Sequence, residues 1–80
     1  MMKIKDLDVV ILTEGRITKN FETGEPIYLQ PGQVGTVVME LDDQTFEVEF
    51  ADQHGIPYAM ETVPADQLLI FHQNPIPANL

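Results

Sequence analysis

The sequence predicts a small all-β domain, and three observations predict it. Hydrophobic residues make up 44% of the 80-residue chain, which is ordinary for a globular domain and indicates folding despite a net charge of −9. Short apolar runs alternate with clusters of Gly, Pro, Asn and Asp, which is typical of strands and turns. Residues 45–51 alternate strictly between apolar and polar side chains, and no convincing helical period competes with this pattern.

The first predicted strand covers residues 7–13, which are β-branched and apolar on both faces. Such a strand is expected to be covered on both sides, and the second cover is expected from the segment that follows. That segment, residues 14–31, is long for a connection in so small a domain. It therefore either carries function or contains a hairpin.

The next two predicted strands cover residues 34–41 and 45–51. In the second of these, Phe46, Val48 and Phe50 are expected to face the core, and the glutamates between them to face outward.

A fourth predicted strand follows the turn sequence at residues 52–55 and presents Ile56, Tyr58 and Met60 on one face. Pro57 cannot donate a hydrogen bond to a neighbouring strand, so the start of this strand is expected at a sheet edge or a bulge.

Residues 64–67 predict a single 3₁₀ turn before a last short strand at residues 68–71. Five short strands, a long first loop and this turn predict a five-stranded SH3-like barrel, with an OB-type barrel as the second architecture. One domain at residues 1–72 is expected, followed by a Pro-containing C-terminal tail at residues 73–80.

A tight turn through residues 43–44 fixes the expected register between the second and third strands. The expected pairs are Leu41 with Phe46, Met39 with Val48, and Val37 with Phe50. Glu40 then lies opposite Glu47, with Glu49 and Glu61 on the same outer face. The sequence therefore predicts a carboxylate patch made of Glu40, Glu47, Glu49 and Glu61.

Four short motifs follow one another in a moderately specific order. They are GxxGTVV at residues 32–38, FEVEF at 46–50, DxxG at 52–55 and ADQL at 65–68. Together they resemble an uncharacterised bacterial family of small proteins, known only as a domain of unknown function. The resemblance covers residues 7–71 and implies an SH3-like barrel without established activity or catalytic residues. It also implies partnership with neighbouring gene products, as in toxin–antitoxin-like pairs.

The side-chain chemistry argues against an enzyme. The chain contains neither Cys nor Ser, which leaves Thr, Lys and Tyr as candidate nucleophiles. Glu47 and Glu49 are expected on an open face, where their pKa values would not be driven apart for acid–base catalysis. His54 and His72 are isolated and lack ligand spacing, so no metal or other cofactor is predicted.

Charge is distributed unevenly along the chain. All four basic residues precede position 20, whereas ten acidic residues follow it. This distribution favours a basic partner and disfavours nucleic acid, whose phosphates it would repel. No apolar run is long enough to span a membrane and no signal peptide is evident, so a cytoplasmic location without membrane association is expected.

Two aromatic residues in the long loop, Phe21 and Tyr28, have two interpretations. They could line a peptide-binding groove. Alternatively, Phe21 could fold back with Ile27 and Leu29 to close the barrel over the first strand.

The sequence thus predicts a non-catalytic protein–protein interaction module that binds a basic protein, in the manner of an antitoxin, an immunity protein or an accessory subunit. The predicted binding residues are Glu40, Glu47, Glu49, Glu61, Phe21 and Tyr28. A homo-oligomer formed through sheet edges and the tail is the alternative, and a nucleic-acid-binding small barrel ranks third.

Overall fold

A computed structural model describes residues 3–79, which form strands and one 3₁₀ turn. The elements are β1 (Val9–Leu12), β2 (Arg16–Lys19), β3 (Pro26–Leu29), β4 (Val34–Asp42), β5 (Thr45–Ala51), β6 (Pro57–Pro64), the 3₁₀ turn η1 (Ala65–Gln67) and β7 (Leu68–Ile70). The prediction of a small all-β domain with a 3₁₀ turn before its last strand is therefore confirmed. Within residues 3–79, no helix is long and apolar enough to cross a membrane.

The strands form two sheets. A five-stranded antiparallel sheet has the order β6-β5-β4-β1-β7, and β2 pairs with β3 in a separate hairpin. The long segment between the first two predicted strands is thus folded as a hairpin, which was one of its two interpretations. The hairpin packs over the inner face of the larger sheet, because Leu29 of β3 belongs to the buried core.

The hydrophobic core lies between the hairpin and the inner face of the sheet. Its buried members are Ile4, Val10, Leu12, Leu29, Val37, Phe46, Val48, Phe50, Ala59, Val63 and Leu68. The three inward residues predicted for β5 are confirmed, with exposed fractions of at most 1%. Ile4 was not predicted, because it lies outside any periodic segment.

The predicted face of β6 is wrong. Ala59 and Val63 are buried, whereas Ile56 and Met60 are 57% and 41% exposed. Met60 pairs with the outward-facing Glu49 and therefore lies on the outer face. The register shift between Phe50 and Ala51 leaves Tyr58 without a partner on β5, and Tyr58 packs against the core. The shift lies beside Pro57, and β6 is an edge strand, so the interpretation of that proline is confirmed.

The predicted register between β4 and β5 is also wrong, although the turn through residues 43–44 is correct. Val37 pairs with Val48 instead of Phe50. Two irregularities in β4 leave Val38 and Leu41 without a partner on β5, so each adds one residue to β4 relative to its neighbour. Side chains along a strand alternate between its two faces. Each extra residue therefore moves the β4 residues that follow it to the face opposite the one predicted.

The segment before β1 is hydrogen-bonded to the sheet, whereas residues 73–79 lie outside it. The backbone N–H of Leu7 donates to the C=O of Val37 at 2.8 Å, which ties the N-terminal segment to β4. Residues 73–79 contain no strand and are exposed. Residues 1, 2 and 80, at the outer limits of the predicted domain and tail, lie outside the described residues.

Candidate interaction surfaces

The four glutamates of the predicted carboxylate patch do not share one face. Glu40 lies opposite Phe46, and Glu61 lies opposite Val48, so both pair with inward residues of β5. The predicted pairing of Glu40 with Glu47 is wrong, because the two extra residues of β4 displace it. Glu61 was expected on the outer face and instead lies on the inner side of β6.

Glu61 is engaged within the protein by the hairpin. Arg16 of β2 donates to its carboxylate at 3.3 Å, and the hydroxyl of Thr18 donates at 2.5 Å. Arg16 also donates to the side-chain oxygen of Gln67 at 2.7 Å and to the C=O of Thr62 at 3.0 Å. Arg16, the only arginine in the chain, therefore connects β2 with β6 and η1. Glu61 thus has a structural role in holding the hairpin against the sheet.

Glu47 and Glu49 remain on the outer face of the five-stranded sheet, as predicted. Both are half-buried on β5, and Glu47 accepts a hydrogen bond from the hydroxyl of Thr62 on β6. Glu49 lies between Thr36 of β4 and Met60 of β6. These two residues are therefore the members of the predicted glutamate set that lie on the outer face.

Beside this acidic pair, the outer face carries an apolar surface. The register places Leu69, Ile11 and Val34 in one row across β7, β1 and β4. Val9 follows on β1, and the N–H of Phe71 donates to its C=O at 2.9 Å. Leu69, Val34, Phe71 and Val9 are 60%, 45%, 39% and 38% exposed. We refer to Val9, Ile11, Val34, Leu69 and Phe71 as the outer apolar patch.

The hairpin covers only one face of β1. It closes over the core through Leu29, which is 1% exposed, and through Ile27. The expectation that this segment also provides the second cover of the first strand is wrong for Val9, because the hairpin lies on the inner face. Phe21 is 53% exposed and does not join the closure.

The two aromatic residues predicted for binding lie on different parts of the hairpin. Phe21 lies in its turn, where the backbone N–H donates to the C=O of Tyr58 at 3.0 Å. Tyr28 pairs with Ile17, and these residues are 61% and 77% exposed. The use of either aromatic residue in peptide binding stays a prediction.

The surroundings of Tyr58 displace the pKa of its phenol. Burial of the phenol, together with the charge of Asp52, raises the pKa of Tyr58 above its ordinary value of 10.0. A hydrogen bond from the side-chain amide of Gln33, at 2.9 Å, acts in the opposite direction. This contact joins the start of β6 to the turn before β4.

The histidines are not brought together with carboxylates. His54 lies in the exposed turn before β6, where its backbone N–H donates to the side-chain carboxylate of Asp52 at 2.8 Å. His72 is exposed just beyond β7. Across residues 3–79, no three His, Cys, Asp or Glu side chains converge as a metal site would require.

These observations define the class of the protein as a small all-β domain whose larger sheet has a partly apolar outer face. A family model described as "Domain of unknown function (DUF4926)" matches residues 6–70. The chain belongs to this family, which confirms the predicted resemblance to a family of unknown function. No curated protein and no solved structure matches the chain.

Proposed function

We propose that the protein is a non-catalytic protein–protein interaction module that binds a basic partner through the outer face of its larger sheet. The observation that carries the proposal is the outer apolar patch. Strands that are apolar on both faces are normally covered on both faces, and contiguous exposed apolar surface is characteristic of interaction sites. A partner protein would supply the missing cover.

The charges beside the patch support a basic partner. Thr36 of β4 pairs with Val9 of the patch on one side and with Glu49 of β5 on the other. Glu47 lies two residues from Glu49 on the same strand, and the whole chain carries a net charge of −9. A cationic partner would gain association rate and selectivity from this complementarity, while the patch would provide the buried centre of the interface. Such a partner could be a basic toxin or enzyme that the module restrains or supports, and the proposal places the pair in the cytoplasm.

The proposed interface uses part of the predicted set of acidic residues. Glu47 and Glu49 are retained from the predicted set. Glu61 is excluded from the proposed interface, since it is engaged by Arg16. Glu40 lies opposite the inward-facing Phe46 and so is not part of the outer face that carries the outer apolar patch.

The test is capture from a lysate of the native cells at low salt, followed by titration of the purified captured protein. Two variants address the interface: one combines Glu47→Gln with Glu49→Gln, and the other combines Val9→Thr with Val34→Thr. The matched control combines Glu22→Gln with Glu25→Gln, which removes the same charge from the exposed hairpin turn.

We expect both interface variants to weaken binding at least about tenfold, corresponding to about 1.4 kcal/mol. The charge variant should also flatten the dependence of the association rate on salt. The control should bind like the wild type. Equal affinity of all variants for every captured protein would refute the proposed surface.

A further inference from the structure

One edge of the five-stranded sheet is covered by the hairpin, and the other is not. The hairpin covers the edge formed by β6: the N–H of Phe21 donates to the C=O of Tyr58, and Arg16 donates to the C=O of Thr62. The other edge is β7, which pairs only with β1 among residues 3–79. An uncovered edge strand is a template for pairing with another chain.

The hydrogen bonds of β7 show which backbone groups face this open edge. Phe71 donates to β1, and Gln67 accepts from the N–H of Thr13 at 2.9 Å. The alternation of an antiparallel ladder then directs the N–H and C=O of Ile70 away from β1. The N–H of Leu68 is already bonded to the C=O of Ala65 within η1, whereas its C=O also faces the edge.

We propose that β7 pairs with β7 of a second copy of this chain, in an antiparallel arrangement about a two-fold axis at Ile70. The two Ile70 residues would exchange their N–H and C=O hydrogen bonds. Each His72 N–H would donate to the C=O of Leu68 in the other copy. On the outer face, Leu69 would lie opposite Phe71 of the second copy, which forms an aliphatic–aromatic pair across the strands.

Local charge favours a second copy at this edge. Residues 67–73 contain no Asp, Glu, Lys or Arg, although the chain as a whole carries a net charge of −9. Charged side chains of both signs lie beyond this uncharged stretch: Lys5 and Asp8 line a groove beside Phe71, and Lys3 lines a groove with Asp66. Because the edge itself is uncharged, two copies of this acidic chain would not place like charges opposite one another along β7.

The hydrogen bonds of this pairing are made by the backbone of the sheet edge, and Leu69 and Phe71 are the members of the outer apolar patch that it uses. The pairing does not require a basic partner, so it does not depend on the proposed function. Hydrogen exchange of the wild-type protein tests it directly, with protein concentrations from about 5 to about 500 µM because strand-edge contacts bury little area. We expect the Ile70 amide to exchange more slowly as concentration rises. Sedimentation should show a parallel increase from the monomer mass of 9.0 kDa toward twice that value.

The test variant is Ile70→Pro, which removes the edge N–H at a position where an edge strand tolerates proline. The matched control is Met60→Pro, placed on the covered edge formed by β6. We expect Ile70→Pro to remain monomeric at every concentration and Met60→Pro to self-associate like the wild type. Capture of a basic partner by Ile70→Pro should be unchanged, which separates this proposal from the proposed function.

A constant monomer mass together with concentration-independent exchange at Ile70 would overturn the proposal. Self-association that persists in a folded Ile70→Pro variant would also overturn it, because the contact would then lie elsewhere.

Discussion

Replacing Arg16 with alanine should loosen the hairpin from the sheet. Arg16 donates to Glu61, Gln67 and the C=O of Thr62, and its side chain is 24% exposed. A net contribution of about 0.5–1.5 kcal/mol per hydrogen bond gives about 1.5–4.5 kcal/mol for the three. Because Glu61 is 20% exposed and can regain water, we expect the lower half of this range, about 2 kcal/mol.

The free energy of unfolding, measured by urea denaturation, provides the assay. Lys19→Ala is the matched control, since it removes an exposed basic side chain from the same strand and should change stability by less than about 0.5 kcal/mol. A double-mutant cycle with Glu61→Gln should give a coupling energy of about 0.5–1 kcal/mol. If Arg16→Ala were no more destabilising than Lys19→Ala, Arg16 would not hold the hairpin.

Three further predictions concern packing and titration. Gly35→Ala places a Cβ 2.6 Å from Val48 Cγ1 within the core, so thermal or urea unfolding should show destabilisation by about 1–3 kcal/mol. Gly15→Ala places a Cβ 2.1 Å from the hydroxyl of Tyr28, but that side chain is 61% exposed and can rotate away, so the same assay should show a loss below about 1 kcal/mol. Similar losses for the two alanines would contradict this difference. Because burial raises the pKa of Tyr58, its neutral form is favoured in the folded state; stability linked to it should be complete below pH 10.0 and decline as pH rises through the folded-state pKa. Ultraviolet titration of the wild type and of the Tyr58→Phe variant gives the pKa of Tyr58 by difference. A pKa at or below the ordinary value of 10.0 would refute the prediction.

The strands that the sequence predicts best are those whose pattern is local. Residues 45–50 alternate without exception, and β5 covers this run and Ala51. Pro57 predicted a sheet edge or a bulge, because a residue without an N–H cannot donate a hydrogen bond within any sheet, whatever the distant contacts are. The 3₁₀ turn follows similarly from the short segment between two strands.

The features that the sequence could not predict depend on contacts between distant residues. The extra residues Val38 and Leu41 lie in a run where apolar residues occupy both faces, so the pattern contains no sign of an exchange of faces. The bond between Arg16 and Glu61 joins residues 45 positions apart, and nothing local marks them as partners. The predicted single acidic face was wrong because the extra residues of β4 displace Glu40 and because Glu61 pairs with the inward-facing Val48.

The strand order also has a consequence for synthesis of the chain. The meander β4-β5-β6 pairs neighbours in sequence and can form as soon as it emerges, whereas β1 must wait for β7, about 60 residues later, to complete its second ladder. The free edge at Ile70 therefore forms only after residues 9–70 have been translated. In the proposed dimer, pairing through β7 would therefore follow the folding of β1 against this strand.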